Sequence, residues 1–403
     1  MKCTLVITAA LSVLSGALAS CGGGASRNID AGARRTDTAR FDFTVSSAPR
    51  WDSLFYRDHG WFGADGIFSI PLNGIDTAST SDTTMLVFSD TMIGDIVDGK
   101  LRPGFTMVHN TVAYMAGSAP DSSRIRFYWK TDAGGRPSSM FTPRTPAASD
   151  SDYYWLGDGF VNHARGDSIY LFAYRIRNIS DKDFGFREVG NVVIVIPPGS
   201  RPPFTDQRQM DTPLYLAGDS ASGDGSFGGA ILVNTKDAGA ADADGYVYVY
   251  GVQGQRKNVL VARVTPAAFT DFSAWRFWDG KGWSPDIDSS APIADRASNE
   301  LSVSRLTDGR YAMVFQTDGL GSTVGLRLGL SPRGPFGPVI KLWDCPEVKE
   351  NKHFVTYNAK AHPALSSPGE LLISYNVNAF DFFHVITVYP HLYRPRFIRV
   401  AYH

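Results

Sequence analysis

Cysteine is nearly absent from the chain, which holds only Cys3, Cys21 and Cys345. Cys3 falls inside an N-terminal apolar stretch and Cys21 just after it, so Cys345 stands alone and an intrachain disulfide framework is excluded. No Cys-x-x-Cys and no Cys/His cluster occurs, which argues against structural zinc. Trp343 and Pro346 beside Cys345 mark a packed thiol rather than a nucleophile. An excess of charge is also missing. Thirty-nine basic residues face 40 acidic ones, for a net charge of −1. That balance excludes a basic nucleic-acid surface. Gly-x-Ser-x-Gly elbows, Walker-type loops and EF-hand loops do not occur. Long stretches with a 3.6-residue apolar period are lacking too, so helices are not expected to build the core.

What is present is 40 glycines, 23 prolines and 12% aromatic residues. This composition suits many short strands joined by tight turns. One strand phrase recurs five times: Met85-Leu-Val-Phe-Ser, Ile169-Tyr-Leu-Phe-Ala-Tyr, Tyr246-Val-Tyr-Val-Tyr, Tyr311-Ala-Met-Val-Phe-Gln and Leu371-Leu-Ile-Ser-Tyr-Asn. The spacing shrinks from about 84 to about 60 residues, and a period of that size with several strands per repeat predicts a radial array of sheets. The expected fold is therefore all-β, a five-bladed β-propeller over residues 41–403. Third strands are expected at 107–114, 191–196, 258–264, 324–330 and 384–389, several of them ending at a proline, which cannot donate to a ladder. Outer strands are expected at 125–129, 275–278, 339–343 and 396–400. Phe41-Asp-Phe-Thr-Val is expected to add a strand to the last blade and so remove an exposed edge. Loops 130–153 and 200–222 are expected on one rim.

Residues 1–20 read as an export signal: Lys2, an apolar stretch from about Leu5 to Ala19, then small residues. The stretch is too short to span a bilayer. Leu18-Ala19-Ser20-Cys21 resembles the lipobox of bacterial lipoproteins, which implies lipidation at Cys21. Residues 21–40 are small, polar and charged, as a flexible tether is. The expected location is the bacterial cell envelope, at the outer membrane or cell surface, with membrane contact through the lipid alone. A single closed domain is expected to be a monomer.

Each repeat opens on a polar residue: Asp65-Gly66, Asp158-Gly159, Asp224-Gly225, Asn299-Glu300 and Ala361-His362. The openers are expected to ring the mouth of a central channel. Each Asp-Gly can equally cap a strand entry. Other Asp-Gly pairs, at Asp98, Asp244, Asp279 and Asp308, lie between strands and read as turns. Glycosidic bonds are cleaved by two carboxyl groups, one donating a proton and one acting as base or nucleophile. Inner strands of different blades hold such a pair on opposite walls.

Trp61-Phe-Gly-Ala-Asp65-Gly, Val87-Phe-Ser-Asp90-Thr and His109-Asn110-Thr resemble the first blade of five-bladed propeller glycosidases. Gly-Asp158-Gly and Tyr357-Asn-Ala-Lys-Ala-His362-Pro continue the likeness. It is closest to bacterial propeller domains of largely unknown function related to endo-D-arabinanases, and it covers roughly residues 50–403. The resemblance implies a glycoside hydrolase acting on a furanose-rich, arabinan-like polysaccharide. It assigns Asp65 as base or nucleophile and Asp158 as the residue that orients substrate or tunes pKa. The proton donor of that clan is a Glu opening the third blade, where this chain has Asp224. Glu300 is preferred as donor, ahead of Asp158 and then Asp224. Asp90, His109, Asn110 and Asn358 are expected substrate contacts. Trp61, Tyr154 and Trp155 either stack on sugar rings or pack between blades. His362 is either a core histidine or the companion of a channel cation such as Ca2+. No cofactor is required. The alternative function is a lipoprotein platform that binds glycan without cleaving it.

Overall fold

The computed structural model describes residues 36–78, 83–180, 185–219 and 221–403. The export signal, Cys21 and residues 21–35 of the tether lie outside the described residues.

The chain is all-β. Among the described residues six antiparallel sheets have four or more strands, and five of them follow one another along the chain. The first comprises Phe68–Pro71, Thr83–Phe88, Thr111–Ala116 and Ile125–Tyr128. The second comprises Asp152–Asn162, Ser168–Asn178, Phe186–Ile196 and Arg208–Thr212. The third has six strands, built around Gly225–Asn234, Tyr246–Gln253 and Asn258–Val264. The fourth comprises Leu301–Arg305, Tyr311–Gln316, Thr323–Gly329 and Ile340–Asp344. The fifth comprises Phe354–Ala361, Glu370–Ala379 and Arg396–Tyr402, with Phe43–Ser47 as its outer strand. The repeated phrase is the second strand in chain order of the first, second and fourth sheets, the third of the six strands of the third sheet, and the second of the fifth sheet counted from Phe354–Ala361. Every residue of Tyr311–Gln316 is buried. An unbroken apolar run is what a strand covered on both faces requires.

The first described strands of the first, second, fourth and fifth sheets, and Gly225–Asn234 of the third, touch in sequence order. Ser69 of the first sheet meets His362 at the end of the fifth, 3.0 Å apart. The apolar core is split into five clusters, each joining neighbouring sheets. Side chains of the first and second sheets share one, as Ile70 and Val87 do with Leu156 and Leu171. The expected Asp-Gly turns form, with φ of 86° at Gly245 and 87° at Gly309.

Three expectations change. Residues 384–389 are not a strand: Phe382–Val388 is helical, entered from Asp381 at φ 57°. Its Val385 and Ile386 bury into the cluster that holds Phe62 and Tyr393. Packing there overrides β-branched propensity. Arg396–Tyr402, expected on the outside, pairs directly with Glu370–Ala379 instead. Residues 36–40 are not loose. Arg310 donates to the carbonyls of Asp37 and Arg40 at 2.6 and 2.7 Å. The sixth sheet, unforeseen, pairs His59–Ala64 with Thr91–Val97, which also pairs Lys100–Leu101 and Thr106–Val108. Cys345 is buried, and burial pushes its thiol up to about 11. Among the described residues no helix is long and apolar enough to cross a membrane.

Candidate active site

The openings of the inner strands converge, but they do not form a uniform ring. The inner strands of the second, third and fifth sheets each carry a bulge, at Leu156/Gly159, Phe227/Ala230 and Tyr357/Lys360. Bulges re-aim side chains and are common beside active sites. The second presents Asp158 and the fifth presents Asn358 at φ 57°. The third presents only Gly228 and Gly229. A Cβ on Gly228 would lie 2.5 Å from the Phe172 ring, and one on Gly229 would lie 2.6 Å from the Asn299 carbonyl. No side chain fits there. Asp224 sits four residues before this bulge. It is 42% exposed, accepts from the Gly218 N–H at 3.1 Å and lies 3.7 Å from Arg187. Asp224 is therefore a turn and rim residue, not a member of the ring.

Asp65 lies between His59–Ala64 and Phe68–Pro71. Its N–H donates to the Asp90 carbonyl at 3.2 Å, and its carbonyl accepts from the Ser89 N–H at 3.0 Å. The two acidic residues are thus fastened together by backbone. The Asp65 carboxylate accepts from the Tyr357 hydroxyl at 2.7 Å. Burial and the Asp90 charge raise the Asp65 pKa to about 7, with Glu300 adding to the rise and the Tyr357 and Tyr393 hydroxyls opposing it. Desolvation and like charge both disfavour the anion.

Asp90 is held by two donors. His109 Nδ1 lies 2.9 Å from its Oδ1, and the Trp155 indole N–H donates at 3.0 Å. His109 lies flat on Tyr153, with ring centroids 3.7 Å apart. Trp155 meets Phe186 edge-on at 4.6 Å. Tyr153, Trp155 and Phe186 are half-buried, so one wall of the mouth offers aromatic rings. Such rings suit the apolar faces of sugars.

Glu300 is 7% exposed. Its Oε1 accepts from the Asn358 amide at 2.8 Å, and its Oε2 from Lys360 Nζ at 2.5 Å. Lys360 is itself buried, with its ammonium 4.3 Å from the Phe68 ring centroid. Burial raises the Glu300 pKa and Lys360 opposes the rise. Asp158 accepts the Gly159 N–H at 2.8 Å and, across to the third sheet, the Ile231 N–H at 2.7 Å. It faces the channel interior with Ser69, Ser302, Lys360 and His362. Burial pushes its pKa up to about 7, against those two N–H groups.

The structure brings Asp90 and Glu300 close enough for their charges to act on Asp65, and places Asp158 beside Lys360 and His362. Trp61 is wholly buried among Phe55, Phe88 and Phe127, and its indole donates to Thr111 at 3.3 Å. It packs the core and offers no face to a sugar. Tyr154 is equally buried, with its hydroxyl on Gln209. Asn110 clamps backbone: its amide donates to the Phe141 and Tyr154 carbonyls and its oxygen accepts the Phe141 N–H. His362 is a core histidine. Its nitrogens meet Ser69 and Ser374 at 3.0 and 2.7 Å, and burial lowers its pKa to about 3. With both nitrogens engaged it does not fit a cation ligand. Among the described residues no group of three or more His, Cys, Asp or Glu side chains is arranged to hold a metal ion.

Sequence reasoning missed Tyr357, Lys360 and Tyr393 as site residues. The first two lie inside the Tyr357-to-His362 motif, so their signal was present. Tyr393 comes from the segment after the helix, and only tertiary contact brings it to Asp65.

The family described as a domain of unknown function (DUF5005) matches residues 49–403. No curated protein matches the sequence. A protein from Bacteroides ovatus ATCC 8483, provisionally described as a hydrolase, has a similar fold, with TM-score 0.68 and 20% identity over 89% of this chain and 90% of that one. An exo-β-1,3-galactanase from Phanerochaete chrysosporium, solved with β-1,3-galactotriose, aligns at TM-score 0.43 and 10% identity, covering 89% of this chain and 64% of that one. A GH62 hydrolase in complex with xylotriose aligns at TM-score 0.41 and 10% identity, covering 86% and 99%. Scores of that size carry no argument about chemistry.

Proposed function

The chain belongs to this DUF5005 family, and we propose that it is a five-bladed β-propeller glycoside hydrolase acting on a furanose-rich, arabinan-like polysaccharide. The five sheets are its blades and Phe43–Ser47 completes the last one. The observation that carries the reading is Asp65: a buried carboxyl with its pKa raised to about 7, fastened to Asp90 and sensing the Glu300 charge, beside a half-exposed aromatic wall. Asp65 is the base or nucleophile, Asp90 a substrate hydroxyl contact, and Tyr153 and Trp155 the stacking surface. The test is incubation of the described domain with arabinans, xylans and fructans, alongside Asp65→Asn. Cleavage by the wild type that Asp65→Asn abolishes supports the proposal. Binding of one glycan without cleavage, unchanged in the variant, sinks it.

A second reading is a non-catalytic glycan-binding lipoprotein. Glu300 favours it, because this carboxylate is occluded and paired with Lys360. We also propose export and lipidation at Cys21. Loss of metabolic palmitate label in Cys21→Ser, with the wild type labelled, is the expected outcome. Equal labelling of both rejects it.

A further inference from the structure

Asp65 precedes the first inner strand, and the channel opens again where the inner strands end. A cavity of about 370 Å³ lies there, walled by Pro71, Val161, Asn234 and Arg305 at or near the ends of four inner strands, and by Pro363 just after the fifth. That volume falls in the range of small-molecule sites, about 300–1,000 Å³. Two carboxyls stand on the cavity, Asp158 and Asp76. Asp76 lies in the loop after Phe68–Pro71 and is solvent-exposed. Its Oδ1 accepts the Ala364 N–H at 3.1 Å, which ties the first sheet to the fifth. The protein around Asp76 still desolvates it and raises its pKa to about 6, against that N–H. The Asp76 charge in turn helps to hold the Asp158 pKa up.

The cations nearby are engaged elsewhere. Lys360 is turned to Glu300 at 2.5 Å, and Arg305 gives two N–H groups to Asp242 at 3.1 and 2.6 Å. The two acids therefore face the cavity without a counter-charge from either. A third polar group points to a ligand. Ser304 lines the same cavity and is 6% exposed, and among the described residues its Oγ has no hydrogen-bond partner. Ser302, on the same face of that strand, is satisfied by the Ala361 N–H at 2.8 Å. A buried hydroxyl left unpaired is costly, and a bound donor removes the cost. The rest of the wall is largely apolar, with Ile231, Val303, Leu306 and Leu371. A hard metal ion collects six or more oxygen ligands. Here both Asp158 oxygens already accept N–H groups, and among the described residues no third acidic, His or Cys side chain joins the two acids in a metal cluster. An ammonium group on a hydrocarbon body matches both parts of the wall. It carries three N–H donors and a full charge.

We propose that this cavity binds a small organic ammonium ion, its N–H groups on Asp76, Asp158 and Ser304 and its hydrocarbon body along Val303, Leu306 and Leu371. The site is separate from Asp65 and does not draw on the hydrolase reading. A bound cation favours the ionised carboxyls, so it displaces the protons that Asp76 and Asp158 hold below about pH 6 and about pH 7. The other titratable groups on the cavity are Arg305, Tyr311, Glu370 and Tyr402. Lys360 and His362 stand above it, beside Asp158. Affinity is set to rise between pH 5 and pH 8.

The test is calorimetry on the full chain with cyclohexylamine, with cyclohexanol as its uncharged counterpart and calcium chloride as the metal arm. The amine is expected to bind at one site, and the alcohol at least about tenfold more weakly, as the loss of one hydrogen bond between charged groups implies. Asp76→Asn keeps an oxygen for the Ala364 N–H and is expected to weaken amine binding about 10–100-fold. Ser304→Ala, a second variant that leaves both acids in place, is expected to weaken it about 3–10-fold. Binding to the wild type should be more than about tenfold weaker at pH 5 than at pH 8. Equal binding of amine and alcohol overturns the proposal, as does full affinity in Asp76→Asn. Calcium binding without amine binding, or no binding at all, overturns it too. None of these outcomes bears on glycan cleavage, so the two readings fail separately.

Discussion

At the channel mouth Asp65 and Asp90 meet hydroxyl, imidazole and indole groups, and half-exposed rings stand beside them. Glu300 and Asp158 meet an ammonium and backbone N–H groups instead. Asp65 and Glu300 precede inner strands, Asp158 sits at the bulge within one, and Asp90 follows the second strand of the first sheet. Their partners separate them: a buried cation neutralises Glu300, while another acid faces Asp65. A buried carboxylate with a cation and an amide, such as Glu300, contributes to the fold as a pair and is costly to break. A carboxyl facing another acid, such as Asp65, holds its proton at a pH where ordinary aspartates have lost it.

The strongest challenge to this contrast is Asp65→Asn. Glycan cleavage is expected to fall about 10²–10⁴-fold with the fold intact, read from initial rates and circular dichroism. Lys360→Met attacks the interior. Removing one partner of a buried pair is expected to cost about 3–5 kcal/mol, read by denaturant titration. Adding Glu300→Gln to Lys360→Met should return much of that loss, and a strictly additive double variant would refute the pairing.

Stability against pH sharpens the comparison. The folded pKa of Asp65, about 7, lies above its ordinary value of 3.8. The folded state therefore binds a proton that the unfolded chain releases, and stability falls as pH rises from about 4 to about 7. His362 acts in the opposite direction. Its folded pKa of about 3 lies below 6.5, so stability is lost as pH falls from about 6.5 toward 3. Asp65→Asn should melt several degrees above the wild type at pH 8, and the gap should close by pH 4. A wild type that melts higher than Asp65→Asn at pH 8 contradicts the assignment. The smallest effect is expected from Trp155→Phe, which keeps a ring and removes the donor to Asp90. Oligosaccharide binding should weaken about 5–10-fold, the order of one net hydrogen bond, measured by calorimetry.

The strands were largely legible because each repeated phrase is apolar along its length, and only a strand covered on both faces needs that. The helix at Phe382–Val388 was not, since Val, Ile and Thr in sequence read as a strand until a buried cluster takes Val385 and Ile386. At the site, Asp65 and Glu300 were legible as openers. The state of Glu300 was not, because Lys360 is sixty residues away in sequence and 2.5 Å away in space. Asp224 misled because a bulge four residues later moved the third sheet's opening to two glycines. Trp61 misled because aromatic residues beside an acid look alike whether they stack on a sugar or fill a core.

The sequence by itself determined the all-β class, the five repeats, the strand that Phe43–Ser47 adds to the last sheet, and Asp65 at the start of the first inner strand. Turn chemistry and local apolar patterning are short-range properties, so one chain displays them. Tertiary structure decided which carboxyls are paired, which aromatics are half-exposed, and that the third sheet presents only Gly228 and Gly229 at its bulge. Those facts depend on bulges and on contacts between sheets, where a shift of one residue turns a side chain from one face to the other.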